Sequence, residues 1–285
     1  MIELTSEEKL LAEKFNKLKQ EAGSHSPSIF TFKQKLPELD IKVDACFLSN
    51  PYATDLFLSY FKREVMDTGK IRELLEFYPS QNNVIAELLG DFLKVKPERI
   101  FVGNGAIEVI QAVLHNFTHH KILINIPTFS SYYEFVKDGV EIIYNNLKKE
   151  NDYRLDTNDL IEKVKNEKPD TVVIINPNNP DGGYISIGNL RTLLAELATV
   201  DTVILDESFI HFAYEDSSFD PINTQALTDT YPNLVIIKSM SKDFGIAGVR
   251  AGYGVMSEAR VAALVKNGYL WNSNGLSEFF FRLYV

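Results

Sequence analysis

The chain has 285 residues, 45% of them hydrophobic and 24% charged, which is ordinary globular usage for one or two domains of about 150 residues each. Its 29 basic and 39 acidic residues leave a net charge of −10 with no basic block, which argues against a nucleic-acid partner and against a polybasic membrane patch. No apolar run reaches membrane-spanning length, and the single cysteine, Cys46, excludes an intramolecular disulfide framework and a cysteine-based zinc cluster.

The first residues, Met1 to Glu8, lack the apolar core of a signal peptide, so a cytoplasmic location is expected. Thr5 and Glu8 have capping-box spacing and open a predicted helix with Leu10, Leu11, Phe15 and Leu18 on one stripe. Gly23-Ser24-His25-Ser26-Pro27 should stop it, and residues 25 to 55 read as an irregular arm broken by Pro37 and Pro51. Residues 1–55 are therefore expected to form an N-terminal helix and arm. Leu56 to Glu64 and Gln81 to Phe92 carry helical spacing. After them, short apolar runs alternate with helical patterns. Strands are expected at 99–102, 121–125, 141–144, 171–175, 202–205, 234–238 and 252–256. Helices are expected at 106–117, 131–137, 157–166, 188–198 and 258–267. Runs buried on both faces and alternating with helices predict an α/β three-layer sandwich around a mostly parallel sheet over residues 56–270. The last stretch, 271–285, stops inside Phe279-Phe280-Phe281-Arg282-Leu283-Tyr284-Val285 and reads as the start of a further, largely missing domain.

Ligand sites in such sheets lie at the carboxyl ends of the strands. Gly103-Asn104-Gly105-Ala106 precedes a helix; it is either a plain turn or a phosphate-binding helix start, with Glu108 a partner for the helix dipole. Asn176-Pro177-Asn178-Asn179-Pro180 is either a rigid turn or a mount for an asparagine amide. Asp206, closing an apolar strand, is either a helix cap or the partner of a cationic ligand. Ser239-Met240-Ser241-Lys242 is followed by Arg250, eight positions beyond the lysine. Hydroxyls and a guanidinium suit a phosphate, and a lysine amine can form a Schiff base with a carbonyl. One ligand joins a phosphate, a phenolic oxygen, a protonated ring nitrogen and an aldehyde, namely pyridoxal 5′-phosphate.

From about Asn50 onward the sequence resembles the fold-type I, class I/II aminotransferases that depend on pyridoxal phosphate. The look is closest to the branch of histidinol-phosphate aminotransferases and threonine-phosphate decarboxylases. The resemblance rests on Asn178-Asn179-Pro180-Asp181-Gly182, Asp206-Glu207-Ser208-Phe209, Ser239-Met240-Ser241-Lys242 and Gly248-Val249-Arg250-Ala251-Gly252-Tyr253. It implies Lys242 as the Schiff-base lysine and proton shuttle, and Asp206 as the partner of the pyridinium proton. It implies Asn179 on the phenolic oxygen, with Ser239, Ser241, Arg250 and the backbone of Gly105, Ala106 and Ile107 on the phosphate. Phe129 matches the aromatic residue that stacks on the ring. Tyr78 matches a tyrosine that reaches a neighbouring subunit's phosphate, which implies a homodimer with shared sites. Asn50 and Tyr52 match the segment at the substrate end of the pocket. No metal is implied.

Three departures stand out. Phe209 occupies a position where the family usually has tyrosine, and threonine-phosphate decarboxylases tolerate that change. His211 replaces a common acidic residue and reads as a surface histidine. The domain that carries the substrate-carboxylate arginine is absent, and Arg282 falls too early to match it. The expected activity is transfer of an amino group between an amino acid or phosphoamine and an oxo acid. The alternatives are decarboxylation of a phosphorylated amino acid and a non-catalytic remnant of the fold.

Overall fold

The computed structural model describes residues 4–23, 26–44, 46–216, 219–220 and 223–285. The expected helix stop at Ser24 and His25 and the first three residues of the N-terminal reading lie outside them. The chain divides into two compact units, residues 1–48 and 49–285.

In the first unit the helix Ser6–Glu21 begins with the expected capping box: the Glu8 N–H donates to Thr5 Oγ1 at 3.2 Å and the Thr5 N–H to Glu8 Oε2 at 2.7 Å. The irregular arm expected over 25–55 is corrected. A helix spans Ile29–Lys35, capped by Ser28, and another begins at Pro51 in the second unit. Seven residues are too few to hold a helix alone. Burial of Phe32 and Leu36 against Leu18, with Phe15 stacked on Phe32 at 5.4 Å, supplies the support that local sequence does not reveal.

The second unit is built on a seven-stranded sheet: β1 Ile100–Asn104, β2 Lys121–Ile126, β3 Glu141–Asn146, β4 Thr171–Ile175, β5 Thr202–Asp206, β6 Leu234–Ser239 and β7 Ala251–Val255. Their order is β1-β7-β6-β5-β4-β2-β3. Only β7 runs against its neighbours; the remaining pairs are parallel. Successive residues of a strand feed opposite faces. Val172, Ile174, Val203, Leu205, Leu234 and Ile236 join one core cluster, whereas Val173, Ile175, Ile204, Val235 and Ile237 join the other. Fully burying each such side chain is worth about 1.5–3 kcal/mol, so a charge at Ile204 would break both the layer and its packing.

Helices cover both faces. Ala106–Phe117 turns Val109, Ile110, Val113 and Leu114 inward, and Asn82–Leu93 buries Ile85, Ala86 and Leu89. The helix Gly275–Tyr284 also packs here, with Phe280 and Phe281 buried in the first cluster. The helix expected at 131–137 is a single turn, Ser131–Glu134. The helix expected at 56–64 starts at Pro51, capped by the Asn50 side chain.

Candidate active site at the carboxyl edge of the sheet

Strand direction decides which loops meet. β4, β5 and β6 are parallel, so Asn176, Asp206 and Ser239 reach the same edge. β1 and β6 both oppose β7 and therefore share a direction. In this register Asn104 lies opposite Ala251, and Ser239 opposite Gly252. The end of β1, the start of β7 and the end of β6 are thereby brought side by side.

Asp206 is buried, and both carboxylate oxygens are occupied. The Ser208 N–H donates to Oδ1 at 2.8 Å, and the Tyr132 hydroxyl donates to Oδ2 at 2.8 Å. Burial pushes the carboxyl above its ordinary value despite the bonds from Ser208 and Tyr132. Burial and the neighbouring Asp206 charge push the Tyr132 phenol well above its own. Tyr132 was not singled out in the sequence; its only signal is its place three residues after Phe129 in the loop following β2.

Gly105, with φ +84°, leads into the Ala106–Phe117 helix. A Cβ on it would lie 2.5 Å from Arg250 Nη2, so the guanidinium rests directly on the glycine. A Cβ on Gly252 would lie 2.5 Å from the Ala106 nitrogen, which explains why the β7 backbone needs glycine there. Arg250 is held by its own left-handed backbone, φ +60°, and by donation from Nη1 to the Ala247 carbonyl at 3.1 Å. A cation thus sits over the free N–H groups of a twelve-residue helix, a geometry that suits a phosphate. Glu108 accepts the Asn104 N–H at 2.6 Å and serves the turn.

Lys242 follows β6 in a tight turn closed by the Gly245 N–H donating to the Lys242 carbonyl at 3.3 Å. Ser241 is buried, and its N–H donates to Ser239 Oγ at 3.2 Å. Asn50 is spent on this turn. Its Nδ2 donates to the Asp243 carbonyl at 2.8 Å and its Oδ1 caps the Pro51–Phe61 helix. Tyr52 is exposed. The surface reading of His211 is corrected: its side chain is 24% exposed, with Nδ1 2.7 Å from Asp243 Oδ2.

Of the three asparagines after β4, Asn176 closes its own loop through both amide atoms on Ile185, and Asn178 donates to the Pro127 carbonyl at 3.2 Å. Asn179 is half-buried and makes no such bond among the described residues. Phe129 packs partly buried against the second core cluster. Tyr78 points outward, 88% exposed, and stacks on Trp271 at 5.9 Å. Phe209 lies 6.2 Å from Phe212. No group of three or more His, Cys, Asp or Glu side chains suits a metal among the described residues. Among the described residues no helix is long and apolar enough to cross a membrane.

The residues fit pyridoxal phosphate on two observations of this chain. At the end of β5 the buried Asp206 carboxylate, oriented by Ser208 and Tyr132, suits a protonated ring nitrogen. Across the sheet, a guanidinium and a glycine-bounded helix start form an anion cradle that a Cβ would fill.

Residues 48–279 match the model of the family described as aminotransferase class I and II. An L-serine phosphate decarboxylase of Campylobacter jejuni is 57% identical over 285 residues, covering 100% of this chain and 73% of that protein. The solved structure of a decarboxylase from Sulfurospirillum multivorans superposes with a TM-score of 0.88 at 48% identity, over 99% of this chain and 73% of that one. A histidinol-phosphate aminotransferase structure from Clostridium acetobutylicum gives 0.66 at 30% identity, over 82% and 66%.

Proposed function

The chain belongs to the class I and II aminotransferase family, a family of pyridoxal-phosphate enzymes, and from that membership we propose that it is a decarboxylase of a phosphorylated amino acid, with L-serine phosphate as its substrate. The observation that carries the proposal is the 57% identity, over every residue of this chain, to a protein named L-serine phosphate decarboxylase. Transamination, the first expectation from sequence, becomes the second reading; the histidinol-phosphate aminotransferase at 30% identity supports it less strongly.

When bound, the cofactor supplies an electron sink for the pair left on the substrate's α carbon. Asp206, oriented by Ser208 and Tyr132, holds the proton on the ring nitrogen. Arg250 and the backbone N–H groups of Gly105, Ala106 and Ile107 bind the cofactor phosphate, with Ser239 and Ser241 donating hydroxyls. Asn179 would donate to the phenolic oxygen and Phe129 would stack on the ring. Lys242 Nζ would hold the cofactor and, once carbon dioxide is lost, would supply the proton that the substrate's α carbon takes up. The products are carbon dioxide and ethanolamine phosphate. Phe209 leaves the phenolic oxygen without a tyrosine donor on that side. In a homodimer, the exposed Tyr78 would reach the partner's cofactor phosphate, and Asn50 and Tyr52 would lie towards the substrate end.

The test is incubation of the chain and pyridoxal phosphate with L-serine phosphate, beside Lys242→Ala. The expected result is a visible absorbance band that borohydride bleaches and the variant lacks, with stoichiometric carbon dioxide and ethanolamine phosphate. A lysine-dependent band without carbon dioxide, but with amino transfer to an added oxo acid, would overturn the decarboxylase reading in favour of transamination. A lysine-dependent band with neither product would favour the non-catalytic reading.

A further inference from the structure

Lys238, four residues before Lys242, is 1% exposed. A buried ammonium is costly unless it is paired. Its Nζ lies 2.6 Å from Asp243 Oδ2, and the same oxygen lies 2.7 Å from His211 Nδ1. Asp243 Oδ1 accepts the Phe244 N–H at 3.2 Å, and the Asp243 carbonyl accepts Asn50 Nδ2 at 2.8 Å. The residue directly after Lys242 is therefore held through both carboxylate oxygens and through its carbonyl. The triad joins two strand ends: His211 follows Phe209 after β5, and Lys238 and Asp243 flank the Lys242 turn after β6.

We propose that Asp243 is a positioning residue for Lys242, clamped by Lys238 and His211, and that the charge on His211 sets how readily Lys242 Nζ holds a proton. The inference rests on Lys242 being the cofactor-bearing amine. With a neutral imidazole the triad sums to zero charge; with a protonated one it carries +1. A positive charge added beside an amine disfavours its proton. Other groups face the triad from each packed element. Burial pulls the Lys238 ammonium below its ordinary value, while Asp243 first, and then Glu207 and Asp206 at the end of β5, favour its charge. Tyr253 on β7 and Tyr284 on the last helix lie near Asp243, with Asp220 beside Tyr284. Burial raises both phenols, and among these residue types histidine is the one whose ordinary charge change lies between pH 5 and 8. Burial alone would raise the Asp243 carboxyl, but the bonds and charges of His211 and Lys238 bring it below its ordinary value. The clamp's anion is therefore intact throughout that range.

The test titrates the visible band of the cofactor-loaded chain with pH, in wild type, His211→Asn and Asp243→Asn. It also follows the His211 ring by NMR in the same chain with and without cofactor, the His211→Asn spectrum identifying its signal. Asparagine keeps a donor near the Nδ1 position but cannot charge. The expected wild-type band has an inflection at the pH midpoint of the His211 ring. His211→Asn keeps the wild-type melting temperature and loses that inflection. Asp243→Asn binds cofactor at least about tenfold more weakly. Should either variant fail to fold, wild type alone decides, because coupling is reciprocal and cofactor must then shift the His211 midpoint. Identical band titrations in wild type and folded His211→Asn, or a His211 midpoint unmoved by cofactor, would overturn the proposal. Absence of any band lost in Lys242→Ala would overturn the underlying site reading instead.

Discussion

The Tyr132 hydroxyl donates to Asp206 Oδ2 at 2.8 Å from the helical turn after β2, across β4 to the end of β5, with both side chains buried. The bond orients the carboxylate proposed to meet the cofactor's ring nitrogen, beside the hydrogen bonds that Ser208 supplies.

Tyr132→Phe removes that donor and keeps the ring. A buried acceptor left without its partner costs about 1–3 kcal/mol. The expected outcome is a lower melting temperature and about tenfold weaker retention of pyridoxal phosphate, read by calorimetry and equilibrium dialysis. Unchanged retention would show that Asp206 needs no orientation from Tyr132.

Gly105→Ala and Gly252→Ala should fail in different ways. At Gly105 the new Cβ meets the Arg250 guanidinium, which can move. At Gly252 it meets the Ala106 backbone, which cannot. Gly252→Ala is expected to destabilise the fold by about 1–3 kcal/mol. Gly105→Ala should mainly weaken phosphate-dependent cofactor binding, with added strain from φ +84°. Binding of pyridoxal against pyridoxal phosphate separates the two effects.

Glu278 ties the Tyr78 loop to the last helix. It accepts the Ser80 N–H at 2.7 Å and Oγ at 2.8 Å, and Arg282 Nη2 at 2.7 Å. Burial raises its carboxyl, but these donors outweigh burial and hold it below its ordinary value. Because the folded value is depressed, the stabilisation is present above the unfolded carboxyl range, near pH 4.3, and is lost as pH falls through the folded value. The melting-temperature gap between wild type and Glu278→Gln should therefore be full at pH 6 and close on acidification below about pH 4. A gap independent of pH would contradict this.

Much of the candidate site's framework was legible because its determinants are local. Apolar runs ended by Asn, Asp or Ser marked β4, β5 and β6, and Lys242 and Arg250 keep their eight-residue spacing wherever the chain goes. The positive-φ Gly105 and the helix behind it could be read as an anion cradle for the same reason. His211 was misjudged because its apparent place, two residues beyond Phe209, carries no trace of Asp243. The tie between the Asn50 amide and the Asp243 carbonyl, 193 residues away, likewise leaves no mark in the local sequence. The helix at Ile29–Lys35 escaped notice because its support comes from packing Phe32 against Leu18 and Phe15, more than ten residues away, and not from its local pattern.

The sequence by itself determined the strands, the helices that separate them, the chemistry at each strand end and the family they point to. Period, capping and turn residues act over a few neighbours and do not depend on how the strands are ordered. The tertiary structure decided which side chains share a space: Tyr132 with Asp206, Arg250 with Gly105, and Lys238 and His211 with Asp243. Those pairings follow from sheet order and the reversed direction of β7. That order is set by burial over the whole sheet, a sum of many non-local contacts that no short stretch of sequence contains.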